Sequence, residues 1–364
     1  DSPRKGANCF NAEPGIQWFQ AARELGVEWV RLAYEKWDGE KRDFLMGDAD
    51  GFTSLVTEDL NSLFRVLDWA QQHEIKVVIT PLGLPGNRWF QNNHDRDDLR
   101  LWNDKAYWEQ AVRFWEELAR NLRNHPAVYA YNLINEPTPE KGTDLAEHGA
   151  ASRYERWYAD YQGTSHDLPA FYDTVIKAIR RVDPMTPIML DAGWYAQPAA
   201  FTFWPKMDDP RILYSFHLYE PYDFTSASNF REKRNLSYPG MIPFAGEEMA
   251  WDSNQIEAYL QPFFAWAQDR KIANNRLVCG EFGCYRRNVG CDRYLADVIS
   301  ALNKREVHWA FYSFREDEWD GYDYEIGVNG LGWEYWKAKE EGLNPPRPRN
   351  NNPLFEVIKK EFRK

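Results

Sequence analysis

Several features that mark common protein classes are missing from the 364 residues of this chain. No stretch approaches the roughly 18 consecutive apolar residues of a membrane-spanning helix. The chain starts with Asp1-Ser2-Pro3-Arg4 rather than with a basic and then apolar leader. The formal net charge is −12, and no stripe of Lys and Arg offsets it, which disfavours nucleic-acid binding. We therefore expect neither a membrane nor a nucleic acid among the partners of the chain.

Cysteine and histidine are scarce, with four and seven residues. No CxxC pair, no Cys/His cluster with zinc spacing and no HxH or HExxH motif occurs, so we expect no metal and no other cofactor. A metal-dependent hydrolase that uses His217, His308 and aspartates stays open as an alternative. Cys284 and Cys291 bracket a short loop and can close a disulfide. One disulfide fits a secreted or periplasmic location without proving it.

Aromatic residues are abundant, at 16% of the chain with 17 Trp and 20 Tyr. This is roughly double the content of an average domain, and most of these rings must lie in the core. Trp37, Trp194 and Trp319 fall in predicted loops, where flat apolar rings beside polar groups suit the faces of sugars. The alternative is that these rings cover the loops of a large domain. We take the three tryptophans as candidate ligand-binding residues.

Short apolar runs alternate with helix-period segments along the whole chain. The predicted strands cover residues 6–10, 27–33, 76–81, 127–134, 188–191, 212–217, 277–280 and 307–312. The predicted helices cover residues 18–25, 59–70, 107–122, 171–182, 256–267, 294–302 and 354–362. Eight strands without a GxGxxG turn after the first favour a single (β/α)8 TIM barrel over a doubly wound sheet. We see no linker or internal repeat and expect one domain over residues 1–364.

Long segments follow several predicted strands and should gather at one face of the barrel, the face where barrel enzymes carry their sites. These segments cover residues 35–58, 83–104, 137–168, 220–254 and 315–353. Six polar or aromatic side chains lie at or just beyond the strand ends: Arg31, Glu136, His217, Tyr219, Glu281 and Tyr312. We expect them to converge on one mouth.

Two of the strand-end residues are glutamates, Glu136 and Glu281, each after an apolar run and before Pro or Phe-Gly. A carboxylate at the end of a buried strand is costly unless it is paired or used. A pair of carboxylates that face each other across one pocket is what glycoside hydrolysis uses. A separation of about 5–5.5 Å favours a nucleophile and retention, whereas roughly 6.5–9.5 Å favours inversion. Either carboxylate alone can also be structural.

Three short motifs together resemble the signature of glycoside hydrolase family 5, the cellulase-type retaining glycosidases. They are Asn135-Glu136-Pro137 after the fourth strand, His217-Leu218-Tyr219 after the sixth and Gly280-Glu281-Phe282-Gly283 after the seventh. The similarity extends from Gly6-Ala7-Asn8 to Tyr312-Ser313-Phe314. The order and placement of the motifs carry the resemblance, since each alone is weak.

The resemblance implies a role for each matched residue near the bond that is cleaved. Glu136 would be the general acid/base and Glu281 the nucleophile that forms a glycosyl-enzyme. Asn135 would hydrogen-bond the 2-hydroxyl of the sugar being cleaved. No cofactor is implied.

Three further roles concern the charge on these glutamates. Arg31 would hold Glu281 ionised, Tyr219 would donate a hydrogen bond to the same carboxylate, and His217 would position the acid/base region or a sugar hydroxyl. We therefore expect a raised pKa for the acid Glu136 and a low pKa for the nucleophile Glu281.

Two positions depart from the family pattern. Leu82 occupies the place after the third strand where many members have histidine, and Tyr312 replaces the usual tryptophan beneath the cleaved sugar. Both changes alter the pocket around the central sugar, so they leave the chemistry in place and the substrate preference open.

The resemblance and the acidic, aromatic composition together predict a monomeric enzyme that acts on a neutral polysaccharide. A β-1,4-glucan is the expected substrate, with internal cleavage. β-Mannan and exo-action on smaller glycosides are alternatives within the same family. An alternative of another class is a carbohydrate-binding barrel without catalysis.

Overall fold

The predicted strands form a closed parallel barrel in the computed structural model, which describes residues 3–34, 43–48 and 50–363. Around the barrel the strands follow the order β1-β10-β9-β6-β5-β4-β3-β2, and β2 pairs with β1 to close it. The strands are β1 (Lys5–Cys9), β2 (Trp29–Ala33), β3 (Lys76–Thr80), β4 (Val128–Asn132), β5 (Ile188–Asp191), β6 (Ile212–Leu218), β7 (Gly240–Phe244), β8 (Glu247–Trp251), β9 (Leu277–Phe282) and β10 (His308–Phe311). The expected (β/α)8 barrel is therefore confirmed, while its extent as one domain over 1–364 stays a prediction.

Helices occupy the segments between the strands. They are α1 (Ile16–Leu25), α2 (Thr57–Gln72), α3 (Arg100–Asn103), α4 (Ala106–Leu122), α5 (Ala151–Tyr161), α6 (Leu168–Val182), α7 (Gly193–Ala196), α8 (Tyr222–Thr225), α9 (Ala227–Arg231), α10 (Ser253–Asp269), α11 (Cys291–Lys304), α12 (Trp333–Glu340) and α13 (Pro353–Lys359). Five short 3₁₀ turns cover residues 90–93, 198–201, 274–276, 324–326 and 360–363. Within the described ranges, no helix is both long and apolar enough to cross a membrane.

The sequence located the barrel strands to within about two residues but missed elements in the long loops, among them a hairpin and two helices. The hairpin β7-β8 lies in the predicted loop 220–254, and α5 and α12 lie in the predicted loops 137–168 and 315–353. Half of the hairpin is exposed, and it contains Pro243 and two adjacent glutamates, so it lacks the apolar alternation of a core strand. The predicted seventh and eighth strands consequently appear here as β9 and β10.

Helix α4 illustrates how the outer layer fixes the site. Its buried residues Trp108, Ala111, Trp115, Leu118 and Leu122 recur at helical spacing and form one apolar face. The indole Nε1 of Trp115 donates a hydrogen bond of 2.9 Å to the carbonyl oxygen of Leu133, directly after β4. The helix therefore holds the segment that leads into Asn135 and Glu136.

The barrel interior changes from apolar to polar along the strands. One layer is apolar and consists of Trp29, Val78, Ala130, Met189, Leu213, Val278 and Ala310. Side chains in a strand alternate between faces, so the residues two positions further along point into the same interior. Five of these are polar and buried: Arg31, Thr80, Asn132, Asp191 and Ser215. Asn8 of β1, which is buried and pairs with Arg31 in the sheet, is the sixth polar member. The polar layer lies at the carboxyl ends of the strands.

Gly6 completes the apolar layer, because it pairs with Trp29 and leaves room for the indole. A Cβ at Gly6 would lie 2.6 Å from the Trp29 ring and from the Trp29 carbonyl oxygen. We expect Gly6→Ala to lower the free energy of unfolding by about 1–3 kcal/mol through overpacking. Denaturant unfolding would measure this loss.

Gly15→Ala is the matched control for this substitution. A Cβ at Gly15 would meet only the flexible end of Gln17, at 3.3 Å, so its stability should change little. Equal stability of the two variants would contradict the packing of Trp29 against Gly6.

Candidate active site

Arg31 lies at the centre of the polar layer, and its side chain has no exposed surface. Its Nε donates to Asn132 Oδ1 at 2.9 Å, and Nη1 donates to Asn8 Oδ1 at 3.4 Å and to Glu281 Oε1 at 2.5 Å. Nη2 donates to Asn135 Oδ1 at 2.6 Å and to Asp191 Oδ2 at 3.3 Å. All five donor positions of the guanidinium are therefore used. This network holds the carboxyl ends of four strands in one arrangement.

Glu281 lies in β9 and receives two strong hydrogen bonds. Arg31 contacts one carboxylate oxygen, and the Tyr219 hydroxyl donates to the other at 2.6 Å. The two partners that the sequence assigned to Glu281 are thus in contact with it. Burial nevertheless raises the pKa of Glu281, while His217, Arg31 and Tyr219 act to lower it. The low pKa expected from the sequence was wrong in direction, because desolvation outweighs the charge partners.

Glu136 follows β4 on a strained turn. Its φ is 44°, a left-handed value that is uncommon for a residue other than glycine and costs about 1–3 kcal/mol. Its backbone N–H donates to Asp191 Oδ2 at 3.2 Å, which helps to hold the turn. Burial raises the pKa of Glu136 to about 8; Arg31 lowers it, and Asp191 and Glu147 raise it further. A proton on Glu136 at neutral pH agrees with the expected raised pKa.

His217 brings the two glutamates together. Its Nδ1 lies 2.7 Å from Glu136 Oε1 and 3.9 Å from Glu281 Oε1. The register between β6 and β9 shifts at this point, so that His217 pairs with Glu281 while Phe216 pairs with Cys279. A bulge of this kind re-aims side chains next to functional sites.

Gly280 is the residue left out of the shifted register, and it permits the close approach of β6. A Cβ at Gly280 would lie 2.6 Å from Ser215 Oγ and 3.0 Å from His217 Nε2. The glycine in the Gly280-Glu281 motif is therefore explained by the position of the imidazole.

Asn135 is buried and faces the same centre. Its side-chain oxygen accepts from Arg31, so its amide N–H groups are directed elsewhere and can donate to a ligand. Arg31 thus joins Asn135 to Glu281, while Asn135 directly precedes Glu136 in the chain.

Sequence reasoning missed Asp191, Asn8 and Asn132 as site residues. Asp191 is fully buried at the end of β5 and touches Arg31, Asn132 and the backbone of Glu136. The signal was available, since Asp191 ends an apolar run as Glu136 and Glu281 do. The two asparagines carried no such signal, because a buried amide on a strand is ordinary without knowledge of the arginine it faces.

The aromatic residues Tyr312, Trp319 and Tyr322 form one wall beside Glu281. The Tyr312 ring lies 6.4 Å from that of Tyr219 and 5.3 Å from that of Tyr322, and Tyr322 lies 5.0 Å from Trp319. The Tyr312 hydroxyl donates to Glu316 at 2.8 Å, away from the carboxylate pair. Tyr312 and Trp319 are partly exposed and can contact a ligand.

The other candidate positions differ in what the structure describes. Trp37 lies outside the described residues. Trp194 is partly buried and has a left-handed φ of 44°, and its backbone N–H donates to Glu140 at 3.0 Å. Its ring lies 6.2 Å from Tyr195, and no described contact joins it to either catalytic candidate. Leu82 is buried.

A second cluster of titratable side chains, Glu147, His148 and Glu220, lies on the Glu136 side of the mouth. His148 Nε2 is 3.5 Å from Glu147 and 3.6 Å from Glu220. Burial raises the pKa of Glu220 to about 7 and lowers that of His148 to about 4. Within the described residues, this trio and the trio of Glu136, His217 and Glu281 each bring three possible metal-ligand atoms within 4.8 Å of one another.

Cys284 and Cys291 are free thiols in the structure, so the disulfide that their spacing allows is not formed. The Cys291 thiol donates to the carbonyl oxygen of Cys284 at 3.3 Å. Burial raises the pKa of Cys291 well above its usual range. The pair is therefore part of the core below the aromatic wall.

Comparison with known proteins agrees with this geometry. The family model described as cellulase (glycosyl hydrolase family 5) matches residues 5–318. Endoglucanase C of Acetivibrio thermocellus is 24% identical over 357 residues, which cover 92% of this chain and 88% of that protein.

Solved structures share the fold at low identity. Endoglucanase Cel5A from Thermotoga maritima is 16% identical, with a TM-score of 0.66 and coverage of 98% of this chain and 96% of that one. The T. maritima Cel5A complex with a mannotriose substrate is 15% identical, with a TM-score of 0.62 and coverage of 91% and 94%. The family match spans most of the chain. The protein therefore belongs to glycosyl hydrolase family 5 and is a glycosidase.

Proposed function

We propose that the protein cleaves internal β-1,4 linkages of a glucan with retention of configuration, through a covalent glycosyl-enzyme. The observation that carries the proposal is the closeness of the two carboxylates, which have oxygens within 4.8 Å of each other. This closeness supports the retaining arrangement of about 5–5.5 Å and disfavours the roughly 6.5–9.5 Å that an intervening water requires. Binding without catalysis would not require two glutamates in this arrangement.

Glu136 and Glu281 divide the first step between them. The protonated Glu136 gives its proton to the leaving glycosidic oxygen as the bond from that oxygen to the anomeric carbon breaks. The ionised Glu281 attacks the anomeric carbon and forms an ester bond to the sugar. Arg31 and Tyr219 hold the attacking carboxylate in place, and Asn135 donates to the sugar 2-hydroxyl.

The second step reverses these roles. Glu136, now ionised, takes a proton from water while the water oxygen attacks the anomeric carbon. The ester bond breaks, and Glu281 returns to a carboxylate between Arg31 and Tyr219. The strained backbone at Glu136 keeps its carboxyl group on the same side of the sugar in both steps.

The preference for a neutral β-glucan rests on the composition of the mouth and on the relatives. The mouth combines the aromatic wall of Tyr312, Tyr322 and Trp319 with acidic side chains, which suits the faces and hydroxyls of an uncharged sugar. The matched relatives include proteins named endoglucanase. Endo-action and the β-1,4 linkage are carried over from those names as part of the proposal.

β-Mannan is the second candidate substrate. A structural neighbour has been solved with mannotriose as its substrate. The pocket around the central sugar also differs from the family pattern at Leu82 and Tyr312. These two positions bear on whether the subsite prefers glucose or mannose. Exo-action on small glycosides is a third outcome of the same assay.

We also propose that the enzyme is a monomer that works in a secreted or periplasmic location. A polysaccharide is too large to cross a membrane, so its hydrolysis is useful where the polymer is. We expect the carbohydrate substrate to be the binding partner of this site.

Retention can be tested directly on the product. We expect the first product released from a β-linked oligosaccharide to be the β-anomer, as followed by proton NMR. Glu281→Gln should lower kcat by at least about 10³-fold, because the nucleophile is removed. Glu248→Gln, an exposed glutamate in β8, is the control and should retain activity. An α-anomeric first product would overturn the double displacement.

The pH dependence follows from the proton on Glu136. Because its pKa is about 8, Glu136 is protonated below that pH, and kcat/KM should fall as the pH rises through about 8. Rates from pH 5 to 10 on an oligosaccharide would measure this limb. In Glu136→Gln the limb should disappear and kcat/KM should fall by about 10²–10⁴-fold. A limb that persists in this variant would assign it to another group.

A product profile on defined oligosaccharides of glucose and mannose decides the substrate. We expect cleavage of internal bonds of β-1,4-gluco-oligosaccharides at a higher kcat/KM than of the manno-series. A higher value on mannose would establish the second candidate. Release of single terminal sugars would contradict endo-action.

A further inference from the structure

Asp191 lies between the groups that serve Glu281 and those that serve Glu136. Its Oδ1 accepts from Asn132 Nδ2 at 3.3 Å. Its Oδ2 accepts from Arg31 Nη2 at 3.3 Å and from the backbone N–H of Glu136 at 3.2 Å, and lies 3.5 Å from His217 Nε2. The carboxylate has no exposed surface and ends β5, a rigid element of the barrel.

The imidazole of His217 has one proton to place when it is neutral, and burial favours the neutral form by lowering the pKa of His217. A proton on Nδ1 would leave the Nε2 lone pair facing the anionic Asp191, which is repulsive. A proton on Nε2 lies near the Asp191 carboxylate, at 3.5 Å and without a hydrogen bond, so the attraction is electrostatic; it leaves Nδ1 as an acceptor, 2.7 Å from Glu136 Oε1. An acceptor at that distance requires Glu136 to be the donor.

We propose that Asp191 is a positioning residue that fixes the His217 proton on Nε2, so that His217 Nδ1 holds the proton of Glu136 in the resting enzyme. The inference rests on the proposed role of Glu136 as the general acid. Asp191 touches neither substrate nor reacting atoms and acts through His217. The three groups form a line of carboxylate, imidazole and carboxylic acid across the mouth.

The surroundings of this line contain further charges. The titratable and charged groups near Glu136 are Arg31 on β2, Asp191 on β5, His217 on β6, Glu281 on β9, Glu147 in the segment after β4, and Glu220 and Tyr222 after β6. Those that face His217 are Glu136, Glu281, Asp191 and Arg31. Arg31 is the cation among them, and it faces the two carboxylates of Asp191 and Glu281 rather than the imidazole.

The proton balance is simple in this arrangement. In the first step the proton leaves Glu136 Oε1 for the glycosidic oxygen, and no proton moves on His217. In the second step Glu136 recovers a proton from water and again donates to Nδ1. His217 keeps its Nε2 proton throughout, because neither step gives or takes a proton at Nε2.

The test compares two leaving groups in Asp191→Asn. The Asn oxygen would still face Arg31 and the Glu136 N–H, but the side chain is uncharged. The attraction for a proton on Nε2 is then lost, and the other tautomer, in which Nδ1–H stabilises an ionised Glu136, gains weight. For a glycoside with a poor leaving group, such as a sugar, kcat/KM should fall on the order of 10²-fold, part of the usual contribution of a general acid. A dinitrophenyl leaving group departs without a proton. For such a glycoside, kcat/KM for cleavage of the glycosidic bond should fall by less than about threefold. The alkaline limb should also move to lower pH.

Asp183→Asn is the matched control. Asp183 is a buried aspartate that precedes β5, and it accepts from the Tyr131 hydroxyl at 2.8 Å, away from the mouth. This variant can lose stability, but its two leaving groups should be affected equally and its alkaline limb should not move. An equal loss for both leaving groups in Asp191→Asn, with an unmoved limb, would overturn the inference.

A second measurement needs no change at Asp191. In the wild-type enzyme with ¹⁵N-labelled histidine, NMR should show His217 protonated at Nε2, with His217→Gln identifying the signal. A proton on Nδ1 would overturn the inference even if Asp191→Asn fails to fold. If the wild type cleaves neither glycoside, the proposed function has failed, and the NMR result alone then decides the position of the proton.

Discussion

The burial of the Arg31 guanidinium is the constraint on which the rest of the site depends. A cation without exposed surface is tolerated only when carboxylates and amide oxygens meet its N–H groups. Here the acceptors come from β1, β4, β5 and β9 and from Asn135, which ties distant parts of the sequence to one point. Removing one partner of such a network typically costs about 3–5 kcal/mol. The site and the closure of the barrel mouth are therefore stabilised by the same contacts.

The position of this network follows from the period of the strands. Five barrel strands, β2 to β6, place an apolar side chain in the interior and a polar one two residues later, and Asn8 of β1 joins the polar side chains. The apolar layer therefore supports a polar layer directly above it. Two glycines adjust the packing between layers: Gly6 admits the indole of Trp29, and Gly280 admits the imidazole of His217. The shift in register between β6 and β9 then sets His217 beside Glu281.

Much of this arrangement could be predicted from sequence because it depends on strand ends. Apolar runs that stop at a charged residue located Glu136 and Glu281, Arg31 was located near the end of its predicted strand, and the barrel topology then required the three to meet. Asp191 also ends an apolar run, but it was not predicted as a site residue, because hydrolysis by two carboxylates gives no role to a third. The pKa of Glu281 was misjudged in direction, since the extent of desolvation depends on packing that no local pattern contains.

The loops were less predictable than the barrel. The β7-β8 hairpin and α12 carry weak periodicity and are half exposed, so their formation depends on contacts with the barrel rather than on local sequence. The functions of tryptophans in loops are equally hard to predict, because a ring that packs over a loop and a ring that stacks on a sugar give the same signal in the sequence. Trp319 joins the wall of Tyr322 and Tyr312, whereas Trp194 packs by Tyr195 and Glu140.

The unequal behaviour of the two glutamates comes from geometry rather than from burial, which raises the pKa of both. A direct contact with a cation is worth about 4 kcal/mol at 4 Å in a protein-like medium, and Glu281 has that contact with Arg31 at 2.5 Å. Glu136 instead contacts a neutral imidazole and shares its surroundings with the anions of Asp191 and Glu147. One proton shared between the two carboxyl groups therefore favours Glu136, and the same charges that bind Arg31 keep it there.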